Sequence, residues 1–85
     1  MKPEVIMYST GYCPYCSKAR DLLNRKNVPF TEIRVDTQPE LRNEMIVKSG
    51  RHTVPQIFIN GHHVGGCDDL HTLEAQGKLD QLLKG

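Results

Sequence analysis

The chain has 85 residues, enough for one small domain whose core is marginal for its size. Eleven Lys and Arg against ten Asp and Glu leave a net charge of +1, which excludes a basic nucleic-acid face and an acidic disordered tail. No apolar run approaches the roughly 20 residues that span a bilayer, so no membrane or nucleic-acid partner is expected.

Met1-Lys2-Pro3-Glu4 runs straight into a strand-like segment and lacks the apolar core of a signal peptide. Three cysteines are an odd number and too few for a secreted disulfide scaffold. A reducing, cytoplasmic compartment is expected. There a cysteine pair serves catalysis or metal binding more often than structure.

Glu4 to Ser9 is a short apolar run that reads as a buried strand, and Thr10-Gly11-Tyr12 as the turn after it. Pro14 suits a first helical position, where its missing N–H costs nothing. Cys16, Ala19, Leu22, Leu23 and Lys26 continue at helical spacing, and Asn27-Val28-Pro29 stops that helix. Phe30 to Val35 alternates and predicts a second strand. Thr37-Gln38-Pro39-Glu40 predicts a capping box with Thr37 as the cap. Leu41, Met45 and Ile46 carry the apolar face of the second helix, which Gly50 ends.

Gln56 to Ile59 and His62 to Val64 flank Asn60-Gly61, a hairpin signal for a type I′ turn. Gly65-Gly66 breaks the second hairpin strand, and Asp68 and Asp69 can cap a third helix carrying Leu70, Leu73 and Ala75. Gly77 interrupts it, and Leu79, Leu82 and Leu83 predict a last short helix. The order is β-α-β-α-β-β-α-α. The first two strands, joined through a helix, are expected to be parallel, with the hairpin antiparallel. The class is α/β, a four-stranded mixed sheet flanked by helices.

Cys13-Pro14-Tyr15-Cys16 places two thiols three residues apart at a helix start. Such residues lie about 5–6 Å apart, within reach of a disulfide. The thiolate is the nucleophile, and unpaired N–H groups with the helix dipole favour negative charge at the first sulfur. Cys13 is therefore the attacking thiol, and Cys16, one turn inside, the resolving one. A metal reading competes, because Cys-x-x-Cys is half of a zinc or iron–sulfur site. Cys67 could supply a third ligand, but no second Cys-x-x-Cys exists. His62 and His63 are adjacent on a predicted strand and point to opposite faces. No metal is expected.

Thr53-Val54-Pro55 precedes a strand, and a cis Val54–Pro55 bond would leave the Val54 backbone free to bind an extended peptide. Gly65-Gly66 permits close approach of a ligand. The helix near Asp68 offers free N–H groups to a carboxylate, and Asp69 offers a charge to an ammonium. Together these would recognise an α-amino acid terminus; two ordinary capping aspartates are the simpler alternative. Cys67 reads as a small residue packed beside the Gly-Gly turn, or as a secondary thiol open to oxidation or glutathionylation.

Cys13-Pro14-Tyr15-Cys16, Thr53-Val54-Pro55-Gln56-Ile57-Phe58 and Gly65-Gly66-Cys67-Asp68-Asp69, in that order, resemble a dithiol glutaredoxin of the small bacterial type. The resemblance extends over essentially the whole chain. Thioredoxins usually carry Trp-Cys-Gly-Pro-Cys, and this chain has no Trp. The resemblance implies a thioredoxin fold, residues 1–85 as one domain, and glutathione as co-substrate. It implies that the cysteine of glutathione pairs with the Val54 backbone beside cis-Pro55. The γ-glutamyl carboxylate would lie at Asp68 and Asp69, with Asp69 near the ammonium. Arg42 would approach the glycine carboxylate, Tyr15 would line the groove, and Thr53 and Gly66 complete the implied set. Thr10 stands where family members often have Lys, and His52 where some have Arg, so less positive charge is expected around the site.

The expected activity is glutathione-dependent reduction of protein disulfides and of glutathionylated proteins by a monomer. The alternative is an iron–sulfur carrier in which Cys13 and glutathione hold a cluster between two chains. Pro14 and the intact thiol pair favour redox turnover.

Overall fold

The computed structural model describes residues 4–11 and 13–84; Met1 to Pro3, and Tyr12 of the expected turn, lie outside them. The elements are β1 (Val5–Ser9), α1 (Pro14–Arg25), β2 (Thr31–Arg34), α2 (Pro39–Ser49), β3 (Gln56–Ile59), β4 (His62–Gly65), α3 (Cys67–Ala75) and α4 (Leu79–Lys84). The expected order holds. The four strands lie in the order β2-β1-β3-β4. The β1–β2 pair is parallel, with Tyr8 opposite Ile33, and β1–β3 and β3–β4 are antiparallel. This is the α/β arrangement read from the sequence.

Period-two alternation along β1 divides the core. Val5 and Met7 face one side, where Ala19, Leu22 and Leu23 of α1 meet Ile57, Ile59, Leu70 and Leu79. Tyr8 faces the other side, with Val35 and Met45, and Ile6 packs there too. The sheet is thus covered by α1, α3 and α4 on one face and by α2 on the other. Lys26, at the end of α1, pairs with Glu74 of α3 and Asp80 of α4 at 2.8 and 2.9 Å. Among the described residues no helix is long and apolar enough to cross a membrane.

Local signals place most element ends. Asn60 and Gly61 have φ of 51° and 83°, both positive, as a type I′ turn requires. Gly50 closes α2 at φ 72°. Two caps differ from expectation. The cap of α2 is Gln38, not Thr37, and it makes no side-chain cap bond. Pro39 takes the first helical position, so Glu40 stands at the second rather than the third, one place too early to complete a box with the actual cap. The cap of α3 is Gly66, and Asp68 and Asp69 stand inside its first turn. Strand β4 also runs one residue further than expected, through Gly65.

Candidate active site

Helix α1 begins where Pro14 presets the first helical angle, and the residue before it takes the extended backbone that a cap needs. That residue is Cys13, at φ −115° and ψ 109°. Its Sγ accepts the backbone N–H of Cys16 at 3.2 Å. A sulfur therefore stands where Ser or Asp oxygen usually caps a helix, at the positive end of the helix dipole. Cys13 is partly exposed, whereas Cys16 is only 1% exposed. Burial, followed by its contact with Cys13, pushes the Cys16 thiol up to about 12, against the pull of the Thr10 backbone N–H and the Arg20 guanidinium. The two sulfurs thus differ in exposure and in surroundings.

Across from this pair, the Val54–Pro55 peptide bond is cis. The Cys13 thiol donates to the Val54 carbonyl at 3.6 Å, so that carbonyl faces the reactive sulfur rather than a neighbouring strand. Gln56 holds the segment from behind. Its side chain is fully buried, and its Nε2 donates to Thr53 O at 3.0 Å and to Thr53 Oγ1 at 3.2 Å. The amide orientation this requires leaves Oε1 to accept from His63 Nε2 at 2.7 Å, which fixes the proton on that ring nitrogen. Burial, then the Arg51 charge, lowers the His63 pKa and so favours the neutral ring.

A groove of about 290 Å³ opens between these segments. Tyr15 from α1, the Thr53-Val54-Pro55 run, and Gly66, Asp68 and Asp69 at the start of α3 line it. Tyr15 is 55% exposed at the lip, with Lys18 Nζ 5.7 Å from its ring centroid. Asp69 Oδ2 accepts the Gly66 N–H at 3.0 Å and Arg51 Nη1 at 2.9 Å. Those two partners, the N–H first, hold its carboxyl below the usual carboxylate range. Gly65 has φ 120°, and a Cβ there would overlap the Asp69 carboxylate.

Seven of the eight residues expected to bind glutathione therefore share one groove. Arg42 is the exception: it stands on α2, and its Nη2 donates to the His52 carbonyl at 3.1 Å. Arg51 lines the groove in its place. The cation expected to be missing at His52 is thus supplied one residue earlier. Arg51 was not singled out in the sequence, and Gln56 stood there only as part of the Thr53-to-Phe58 motif, with no role of its own. Their proximity to Thr-Val-Pro was the available signal.

Cys67 also touches the groove but is only 5% exposed. Burial, then Asp68, raises its thiol pKa, and His71 Nδ1 lies 3.4 Å from its sulfur. All three cysteines are free. Among the described residues, no three His, Cys, Asp or Glu side chains converge as metal ligands.

A family model described as glutaredoxin matches residues 5–64. A glutaredoxin of Pseudomonas aeruginosa is 59% identical over 81 residues, covering 95% of this chain and 96% of the relative. The solution structure of glutaredoxin from Brucella melitensis is 57% identical, with a TM-score of 0.87, covering 98% of this chain and 90% of that one. The crystal structure of a buckwheat glutaredoxin–glutathione complex is 29% identical, with a TM-score of 0.89, covering 96% of this chain and 77% of that one.

Proposed function

The chain belongs to the glutaredoxin family and is a glutathione-dependent thiol–disulfide oxidoreductase, and on that premise we propose how its residues divide the reaction. Cys13 is the attacking thiol and Cys16 the resolving one. The observation that carries this is the position of Cys13 Sγ, which caps α1 and meets the Val54 carbonyl at the mouth of the groove.

The Cys13 thiolate attacks a protein disulfide and forms a mixed disulfide, releasing one substrate thiol. Cys16 then attacks the Cys13 sulfur, and the second substrate thiol leaves as the Cys13–Cys16 disulfide closes. Glutathione attacks that disulfide at Cys13, and a second glutathione removes the first as glutathione disulfide. Glutathionylated proteins need only Cys13 and free glutathione.

In the groove, the glutathione cysteine takes its backbone bonds from Val54, beside Pro55. Its γ-glutamyl carboxylate meets the N–H groups at the start of α3, where Gly66 and Asp68 stand. Its ammonium meets Asp69. Thr53 and Tyr15 flank the peptide, and Arg51 supplies positive charge for its carboxylates. Arg42 supports the His52 segment from outside. A chain with three free thiols suits a reducing, cytoplasmic setting, and a groove built within one chain suits a monomer.

Two assays test the division of labour. Cys13→Ser is expected to abolish both protein-disulfide reduction and deglutathionylation. Cys16→Ser is expected to lose the first and keep the second. A folded Cys16→Ser protein that lost both equally would overturn the assignment.

A further inference from the structure

Cys16 is buried and must nevertheless become a thiolate at the moment it resolves the mixed disulfide. Arg20 lies four residues on, so α1 sets both side chains on one face of the helix. The guanidinium is pinned, although its side chain is one third exposed. Its Nε donates to Glu32 Oε1 at 3.0 Å, and its Nη2 to Glu32 Oε2, a two-pronged pairing with β2. Ser9 Oγ, at the end of β1 and fully buried, donates to the same Glu32 Oε2 at 2.6 Å. Three elements, α1, β1 and β2, thus hold one cation on the helix that carries Cys16. Nothing in the proposed glutathione groove uses this clamp.

We propose that Arg20, fixed by Glu32 and Ser9, is a positioning residue for the resolving step that stabilises the Cys16 thiolate as it forms. This rests on the reading that Cys16 resolves. In that step the Cys16 thiol gives up its proton, and its sulfur attacks Cys13 Sγ. The bond between Cys13 and the departing sulfur breaks, and the departing thiolate takes up a proton. One disulfide replaces another, so no outside oxidant is needed. The ionisable side chains acting on Cys16 are Cys13, which opposes its charge, and Arg20, which favours it, with Thr10 adding a backbone N–H. Glu32 on β2 accepts from both Arg20 and Ser9.

The size of the effect follows from two opposed trends. Each unit of rise in thiol pKa removes about tenfold of the thiolate, but a more basic thiolate is more nucleophilic, with a Brønsted slope of about 0.4–0.5. Resolution therefore slows about threefold per unit.

The test uses the full chain with Cys13 first converted to its glutathione mixed disulfide, and follows release of glutathione at pH 7. In Arg20→Gln the release is expected to slow by up to about threefold, and in Arg20→Lys to stay near the native rate. Arg20→Gln leaves Glu32 without its cation, so Arg20→Gln with Glu32→Gln provides a second variant with no orphaned charge. It is expected to slow likewise. In a Cys13→Ser, Cys67→Ser background, the rate of Cys16 alkylation by iodoacetamide between about pH 7 and pH 9 reports its thiolate, and that rate is expected to fall with Arg20→Gln but not with Arg20→Lys. Native release in both Gln variants would overturn the proposal, and so would slowed release with an unchanged alkylation rate. Cys16→Ser separates the two readings. Release that persists there would sink the resolving role of Cys16, whereas release lost there but intact in Arg20→Gln would sink only the role of Arg20.

Discussion

Arg51 Nη1 and Asp69 Oδ2 meet at 2.9 Å within the groove that also holds Val54 and Pro55. The same Oδ2 accepts the Gly66 N–H, and among the described residues Oδ1 has no partner, so under the proposed binding mode it is the acceptor an ammonium would meet. Asp69→Asn removes the charge that the ammonium would meet. An exposed ion pair contributes at most about 1 kcal/mol, so KM for glutathione is expected to rise by about fivefold. Steady-state assays with varied glutathione at saturating mixed disulfide measure it. An unchanged KM would remove Asp69 from the binding set.

Acid should weaken the fold through two carboxylates beside the active-site strands. The Arg34 guanidinium, with the Gly11 N–H, holds Asp36 at about 2. Arg20, then Ser9, lowers Glu32. Unfolded carboxylates titrate near 3.9–4.3, so between those values and the folded ones the unfolded chain binds more protons. The stabilisation is therefore complete above about pH 5 and is lost as pH falls through the folded values. Melting temperature should drop between about pH 4 and pH 2, and Asp36→Asn should flatten that slope. Calorimetry across the range distinguishes a flattened slope from an unchanged one.

Leu23 is fully buried where α1 meets the sheet. Leu23→Ala should cost about 3 kcal/mol, from lost burial and the cavity left behind. In a domain of this size that corresponds to roughly 12–24 °C in Tm. Urea titration should show a lower midpoint with a similar m-value; a loss below about 1 kcal/mol would mean that the site collapses around the smaller side chain.

Gln56 joins the Thr53 segment to His63 through three hydrogen bonds. Gln56→Leu fills similar space but leaves the Thr53 carbonyl and the His63 N–H without that partner. A cost of about 1–3 kcal/mol is expected, with a raised KM for glutathione because Val54 is held less firmly. Denaturant unfolding and kinetics on the same preparation check both parts. A stability loss with unchanged KM would confine Gln56 to the core.

The elements were legible where local chemistry decides them. Pro14 after Cys13 marks the start of α1, Asn60-Gly61 marks the hairpin, and Gly50 marks the end of α2. The caps of α2 and α3 were misread by one to three residues, because several residues there compete for the role. At α2 the fixed ring of Pro39 outweighed the hydroxyl of Thr37. At α3 the glycine takes the cap, and Asp69 reaches back to its N–H from inside the turn. The thiol pair was readable because its two members are neighbours in sequence. The Arg51–Asp69 pairing was not, because it joins residues 18 apart and depends on how β3, β4 and the preceding loop fold together. The Arg20–Glu32–Ser9 clamp is hidden for the same reason: it needs the register of β1 against β2.

Gly65 and Asp69 share one volume. A side chain at 65 would occupy the space of the Asp69 carboxylate, and the backbone at φ 120° resists any side chain at all. Replacing the glycine alone would evict the acid from its place beside Arg51, while replacing the acid alone would still leave the backbone restraint. Over evolutionary drift the two positions are therefore not independent letters. The route away from this pair runs first through the acid, and a lineage that had exchanged the glycine would carry the mark of an altered partner at 69.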